Sequence, residues 1–237
     1  MSDLKTAREW IRSARRVAAL TGAGISAESG IPTFRGSGGL WKQFRAEDLA
    51  TAAAFARDPL TVWEWYQWRR ELIAQCTPNA GHLALAELEA TTHFTLITQN
   101  VDGLHDLAGS RNILKLHGDI WRLRCTTCLA EWTDRSVRFA QFPPQCTCGG
   151  LARPAIVWFG ENLPDGIFEE AGHAAKTADV FLVIGTSAQV YPAAGLIPEA
   201  KASGAKIIEI NIEKTPFTSL VDCALTGSAG ELLPRLI

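Results

Sequence analysis

Short apolar runs that each stop at a glycine or a polar residue restrict the fold of this chain more than any other feature. They occupy residues 17–20 before Thr21-Gly22, 94–97 before Thr98-Gln99-Asn100, 113–116 before His117-Gly118, 155–159 before Gly160-Glu161, 180–184 before Gly185-Thr186-Ser187, and 207–210 before Asn211. Such runs are too short for buried helices and lack the period-two alternation of a sheet with one wet face. They predict strands of a parallel sheet covered on both faces. Helical spacing lies between several of them, over 82–90 and 167–176. At the start of the chain, Leu4, Ala7, Ile11 and Ala14 share one helical face. Alternating strands and helices predict an α/β protein with a doubly wound parallel sheet. Ligands of such sheets bind beyond the carboxyl ends of the strands, where these polar clusters fall.

Two stretches break the alternation. Residues 36–78 read as helical and rich in Ala, Trp and Arg, and residues 122–152 hold four of the six cysteines. At about 150 residues per domain, a chain of this length predicts one full domain and a smaller module. We therefore assign 1–35, 79–121 and 153–237 to the large domain and the two insertions to the small one. With 23 basic and 25 acidic residues the formal net charge is −2. That balance excludes a polybasic nucleic-acid or membrane-surface binder at the level of overall charge. No apolar run reaches the roughly 18 residues of a membrane span. The first residues carry Lys5, Arg8, Arg12, Arg15 and Arg16 and no uncharged signal core, so a cytoplasmic location is expected.

Gly22-Ala23-Gly24-Ile25-Ser26-Ala27 follows the first strand in a G-x-G-x-x-A pattern. Glycines there would let the backbone approach a pyrophosphate, and a following helix N-terminus would favour the anion. A plain tight turn explains the same spacing. A hydride-transferring dehydrogenase should carry an acid about 20 residues on, at a second strand end. Here Glu47 and Asp48 fall in helix or loop. Asn211 and Glu213 follow a strand instead, and would hold a ribose or adenine edge or serve as solvated loop polarity. Cys125-x2-Cys128 and Cys146-x-Cys148 are separated by 17 residues. Two close thiolate pairs suit tetrahedral Zn²⁺, a closed structural site, with free thiols or a redox pair as the alternative. Cys76 and Cys223 have no neighbour in sequence and read as buried, inert thiols.

Several long words now converge: the stretch from Gly22 to Arg35, GAGISAESGIPTFR; Thr98-Gln99-Asn100-Val101-Asp102-Gly103-Leu104-His105; Leu116-His117-Gly118; Gly185-Thr186-Ser187; and the cysteine pairs. Over nearly its whole length the chain resembles the sirtuins, NAD-dependent protein lysine deacylases. The resemblance implies a Rossmann-like large domain and a small module of a zinc ribbon plus a helical insertion. NAD, consumed as a co-substrate, and an acyl-lysine peptide or protein would meet in the cleft between them. No nucleic acid or membrane partner is implied.

The resemblance also implies roles. His117 is the catalytic base acting on the ribose hydroxyls after the acyl-lysine oxygen displaces nicotinamide. An imidazole titrating near neutrality suits that task. Gly22, Ala23, Gly24, Ile25, Ala27 and Glu28 belong to the nucleotide-binding turn. Pro32, Thr33, Phe34 and Arg35 form the loop over the reacting centre, where Phe34 excludes free nicotinamide and water and Arg35 supports the pyrophosphate; Trp41 is a further cofactor-binding residue. Gln99 matches a ribose contact, and Asn100, Val101 and Asp102 line the nicotinamide pocket. Gly185, Thr186, Ser187, Asn211, Ile212, Glu213 and Ala229 match phosphate and adenosine contacts. Val157, Trp158, Phe159 and Gly160 match the strand that pairs with substrate backbone. The four cysteines hold one structural Zn²⁺.

Tyr66 and Arg69 lie three apart and share a helical face. A phenol and a guanidinium at the end of an apolar channel would bind a carboxylate at the tip of an acyl chain. In the family this pair marks the subgroup acting on succinyl-, malonyl- and glutaryl-lysine, and Ala50 leaves the room. The alternative is a core tyrosine and a surface arginine paired with Glu64 or Glu71. Arg70 reads as the solvated neighbour. Plain deacetylation, mono-ADP-ribosyl transfer and a non-catalytic NAD-sensing module are the competing functions.

Overall fold

The computed structural model describes residues 2–34, 40 and 45–237. Helix α1 (Ser2–Ser13) leads into β1 (Arg16–Thr21), a one-turn helix α2 (Gly24–Ala27), and then α3 (Ala46–Leu49), α4 (Ala52–Arg57) and α5 (Pro59–Ile73). After α6 (Ala80–Thr91) come β2 (His93–Thr98), α7 (Leu104–Ala108), β3 (Ile113–Lys115), β4 (Gly118–Cys125), β5 (Glu131–Thr133) and β6 (Ala152–Ile156). The chain closes with α8 (Ile167–Thr177), β7 (Val180–Ile184), α9 (Leu196–Ala202), β8 (Lys206–Asn211), β9 (Cys223–Thr226) and α10 (Ala229–Leu236).

Six strands form one sheet in the order β3-β2-β1-β7-β8-β9, and every neighbouring pair is parallel. Alternate residues of β1 feed opposite cores. Val17 and Ala19 join α1, α6 and α10 on one face, while Ala18 and Leu20 join α8 and α9 on the other. This is why the runs read as apolar throughout. Burying one such Leu or Ile contributes about 1.5–3 kcal/mol against leaving it exposed. The strand order reverses between β1 and β7, so their carboxyl ends open a crevice at the switch point.

One predicted strand lies elsewhere. Only the first two residues of the run at 155–159 are strand, and they belong to a separate antiparallel sheet, β5-β4-β6, where β6 ends at Ile156 and Gly118 opposes it. Its apolar residues pack on the small module rather than in the parallel sheet. The antiparallel sheet and the helices of the 36–78 insertion share one hydrophobic cluster that includes Trp63, Tyr66, Ile120, Trp121, Leu123 and Trp158. Strand β9 was absent from the sequence pattern because half of its four residues are exposed at the sheet edge.

Helix α5 is well specified locally. Asp58 caps it through the Thr61 N–H at 3.1 Å, and Pro59 occupies the first turn, where no N–H is needed. Trp63 fixes its rotation by donating its indole N–H to the Ala152 carbonyl at 2.8 Å.

Candidate active site

The ends of β1 and β7 meet at the switch point more tightly than a side chain allows. Gly22 N–H donates to the Ile184 carbonyl at 3.0 Å and Gly24 N–H to the Gly185 carbonyl at 2.7 Å. A Cβ on Gly24 would sit 2.7 Å from that carbonyl oxygen, and one on Gly185, at φ +56°, only 2.4 Å from the Ile25 nitrogen. The glycine pattern is therefore needed by contact between two strand-end turns, whatever binds above them. The helix that follows, Gly24–Ala27, is a single turn.

Above this floor lies an open cleft of about 1060 Å³ between the two sheets. His117, half-buried at the turn between β3 and β4, lines it. Its Nδ1 is 3.0 Å from the Gln99 carbonyl oxygen. A carbonyl only accepts, so Nδ1 carries the proton and Nε2 keeps its lone pair. Burial pushes the His117 pKa below the usual 6.5, against the opposing pull of that bond. Gln99 donates to Thr186 Oγ1 at 3.0 Å, joining the ends of β2 and β7. Asn100 donates through Nδ2 to the Gly22 carbonyl at 3.0 Å and to Ser26 Oγ at 3.3 Å.

At the far end, Glu28 is clamped by the start of α10. Its carboxylate accepts from Ser228 Oγ at 2.8 Å and from Gly230 N–H at 2.7 Å. Asn211 Nδ2 donates to the Thr186 carbonyl at 2.8 Å. These groups share the wall with Ala23, Ala27, Val101, Ser187, Ile212, Glu213 and Ala229.

On the side of the small module, Tyr66 Oη accepts from the Trp158 indole N–H at 2.8 Å. With that lone pair occupied, the Tyr66 hydroxyl proton remains to be donated. Burial raises the Tyr66 pKa to about 12, so the phenol is neutral. Arg69 is 6% exposed, lies 4.8 Å from the Phe34 ring centroid and 5.1 Å from that of Trp65, and lines the cleft with Tyr66 and Ala50. Among the described residues no carboxylate forms a salt bridge with it; the buried Asp102 carboxylate acts on it only from a distance, and Glu71 pairs with Arg138 instead. Arg153 stacks over Trp158 at 3.4 Å and grips Glu161, whose Oε2 also accepts the Trp158 backbone N–H at 2.9 Å.

Four expectations change. Asp102, Ile25 and Pro32 do not reach the cleft wall. Asp102 is buried beneath it, accepting from Ser26 Oγ at 2.8 Å and from Leu104 N–H at 2.8 Å, while Ile25 is packed in the core. Val157, Trp158, Phe159 and Gly160 line the cleft but leave the strand, and the first three amides are engaged: Val157 N–H bonds the His117 carbonyl, Trp158 N–H the Glu161 carboxylate and Phe159 N–H the Ala50 carbonyl. Arg70 is fully buried, not solvated. It donates to the Ile120 carbonyl at 3.3 Å and to Asp134 Oδ1 at 3.1 Å, with its guanidinium 5.0 Å from the Trp121 ring centroid and 4.9 Å from that of Phe139. Cys76 is half-buried, whereas Cys223 is buried as expected. Arg35 and Trp41 lie outside the described residues. Sequence reasoning missed Gln189, Val190, Tyr191 and Pro192, which line the cleft, and also Lys214 and Thr215. Both segments simply continue past strand ends already marked as polar.

The four sulfurs of Cys125, Cys128, Cys146 and Cys148 lie within 4.8 Å of one another. The Cys125–Cys148 and Cys128–Cys146 separations are 3.5 and 3.7 Å. Tetrahedral zinc with Zn–S bonds of about 2.3 Å sets its sulfurs about 3.8 Å apart. The set suits one structural zinc ion with no open position. No helix among the described residues is long and apolar enough to cross a membrane.

A family model described as "Sir2 family" matches residues 22–192. The NAD-dependent protein deacylase 2 of Pyrobaculum aerophilum is 52% identical over 230 residues, covering 96% of this chain and 92% of that protein. A solved Sir2 homologue in complex with NAD superposes with a TM-score of 0.92 at 48% identity, covering 98% of this chain and 91% of that one. A Sir2 protein with a deacetylated p53 peptide and 3′-O-acetyl ADP-ribose superposes with a TM-score of 0.87 at 33% identity, covering 99% and 97%.

Proposed function

Because the chain belongs to the Sir2 family, we propose that it is an NAD-dependent protein lysine deacylase, acting on lysines that carry an acidic acyl group as well as on acetyl-lysine. NAD, as co-substrate, brings the glycosidic bond that is broken and the ribose that receives the acyl group. The rest is the work of this chain's side chains. His117 lines the cleft, and its Nε2, left unprotonated by the Gln99 bond, takes a proton from a ribose hydroxyl. Gln99 and Asn100 are held by the ends of β1 and β7, which fixes the surface against the ribose and nicotinamide. Asp102 acts from beneath, through Ser26, on Asn100. Glu28, Asn211, Glu213 and Ala229 form the adenosine end. Phe34 covers the reacting centre. Zinc at the four cysteines holds the small module together and takes no part in the chemistry.

The observation that carries the acyl preference is the state of Arg69. A buried guanidinium with no carboxylate in salt-bridge contact among the described residues, only the charge of buried Asp102 acting on it from a distance, and a neutral phenol with a proton to donate beside it, is an incomplete anion site. The carboxylate at the tip of a succinyl or malonyl chain completes it. The test is kcat/KM on one peptide carrying acetyl- or succinyl-lysine, for wild type and Arg69→Met. Losing one charged hydrogen-bond partner should lower the succinyl-to-acetyl ratio roughly 10- to 100-fold. A wild type that prefers acetyl, with a ratio that Arg69→Met does not move, would leave a plain deacetylase. His117→Tyr should abolish turnover on both peptides; persistent turnover would remove the base.

A further inference from the structure

Strand β8 carries one charged residue in its buried interior. Ile208 and Ile210 enter one core and Ile207 the other. Glu209 points to the same face as Ile207 and is 3% exposed. Among the described residues no cation pairs with its carboxylate. A carboxylate so placed is costly unless its oxygens are satisfied, and an aliphatic residue would fill the position as its neighbours do.

Both oxygens are satisfied from a single loop. Thr215 donates its hydroxyl to Oε1, and Thr218 donates to Oε2 at 2.6 Å. The two threonines are themselves tied together, since Thr215 N–H donates to Thr218 Oγ1 at 2.8 Å and Phe217 N–H to Thr215 Oγ1 at 3.1 Å. Phe217 and Val221 then pack onto the core beneath. Glu209 is thus the post around which residues 212–218 are wound. The same loop presents Ile212, Glu213, Lys214 and Thr215 to the cleft, whereas Glu209 does not reach the cleft wall.

We propose that Glu209 is a positioning residue for NAD affinity: by taking both threonine hydroxyls it fixes the loop that receives the adenosine end, without touching the ligand. This rests on the proposed adenosine role of Asn211 and Glu213. The tertiary arrangement makes a specific demand. Loosening the post should weaken the hold on ADP-ribose and leave the acyl side, which is built on α5 and residues 156–161, as it was.

The experiment varies NAD and acyl-peptide independently for wild type, Glu209→Ala, Glu209→Gln and Thr218→Val, with ADP-ribose affinity measured by calorimetry and folding by Tm. Glu209→Ala should raise KM for NAD and Kd for ADP-ribose about tenfold, with KM for peptide and kcat at saturating NAD within about twofold. Thr218→Val removes one of the two bonds and should fall between. Glu209→Gln, which keeps the size and one acceptor, should recover part of the affinity. These two variants carry the test if Glu209→Ala does not fold. A merely structural role would lower Tm and leave the NAD and peptide constants unchanged or shift them together; either result overturns the proposal. Glu213→Ala and Asn211→Ala separate the two levels. If they weaken ADP-ribose binding and the Glu209 and Thr218 variants do not, the positioning role alone fails. If they leave it unchanged, the adenosine subsite itself is misplaced.

Discussion

The His117 ring donates from Nδ1 to the Gln99 carbonyl, and burial holds its pKa below 6.5. A base works in its neutral form, and a lowered pKa keeps that form populated to lower pH. The acid limb of the kcat/KM profile should therefore have its midpoint below pH 6.5; a midpoint at or above it would mean that another group titrates. On the side of the small module, Trp158 fills one lone pair of Tyr66 Oη. Replacing Trp158 with Phe keeps an aromatic ring and deletes the N–H. The succinyl-to-acetyl ratio should then fall about fivefold, the value of roughly one neutral hydrogen bond. An unchanged ratio would show that the indole does not orient the phenol. Arg69 and Arg70 illustrate what one residue of spacing decides. Tyr66 and Arg69 were legible as a pair, because a helix places i and i+3 on one face. The burial of Arg70 was not, because its partners Asp134 and Ile120 arrive from distant segments.

At the scale of elements, α5 and the β4–β6 sheet hold one another. Trp63 bonds the Ala152 carbonyl and Arg70 spans to Ile120 and Asp134, so the helix bearing Tyr66 and Arg69 is fastened to the cysteine-bearing sheet. Two outcomes follow from that fastening. Replacing Arg70 with Met leaves buried carbonyls unsatisfied and should destabilise the protein by about 3 kcal/mol in urea unfolding; a loss under about 0.5 kcal/mol, the range of surface substitutions, would show that the strut carries little. Chelating zinc should lower Tm and activity together, with both restored by added Zn²⁺. Full activity in metal-free protein would refute the structural role of the cluster. Sequence spacing exposed the cysteine ligand set, since C-x2-C and C-x-C are local signals. It misplaced residues 155–159, because an apolar run does not disclose which of two sheets it joins.

Across the whole molecule, the parallel sheet rests on a buried polar layer beneath the cleft. His82 and His105 are both buried there, with ring centroids 4.8 Å apart. Burial lowers their pKa values to about 4 and about 3, and a neighbouring ring and Lys115 add to the effect at His105. Both fall below the unfolded value near 6.5, so the unfolded chain gains protons first as pH drops. Their stability contribution is complete above pH 6.5 and is lost as pH falls toward 4 for His82 and 3 for His105. Unfolding free energy should decline by up to about 1.4 kcal/mol per pH unit for each ring below 6.5. A flat profile between pH 6.5 and 5 would show that these rings are not held neutral.

The sequence alone determined the layered α/β architecture, the strand ends that bear the polar clusters, the His117 position and the zinc ligands. Each of these is encoded by local periodicity, by short spacing, or by long words shared with a family. Only the tertiary structure decided why Gly22, Gly24 and Gly185 must be glycine. It likewise decided that Asp102 lies beneath the cleft wall, that Arg70 is a strut and that the Glu209 carboxylate ties down a loop. Those facts depend on which distant segments meet, and contact across the fold leaves no periodic trace along the chain.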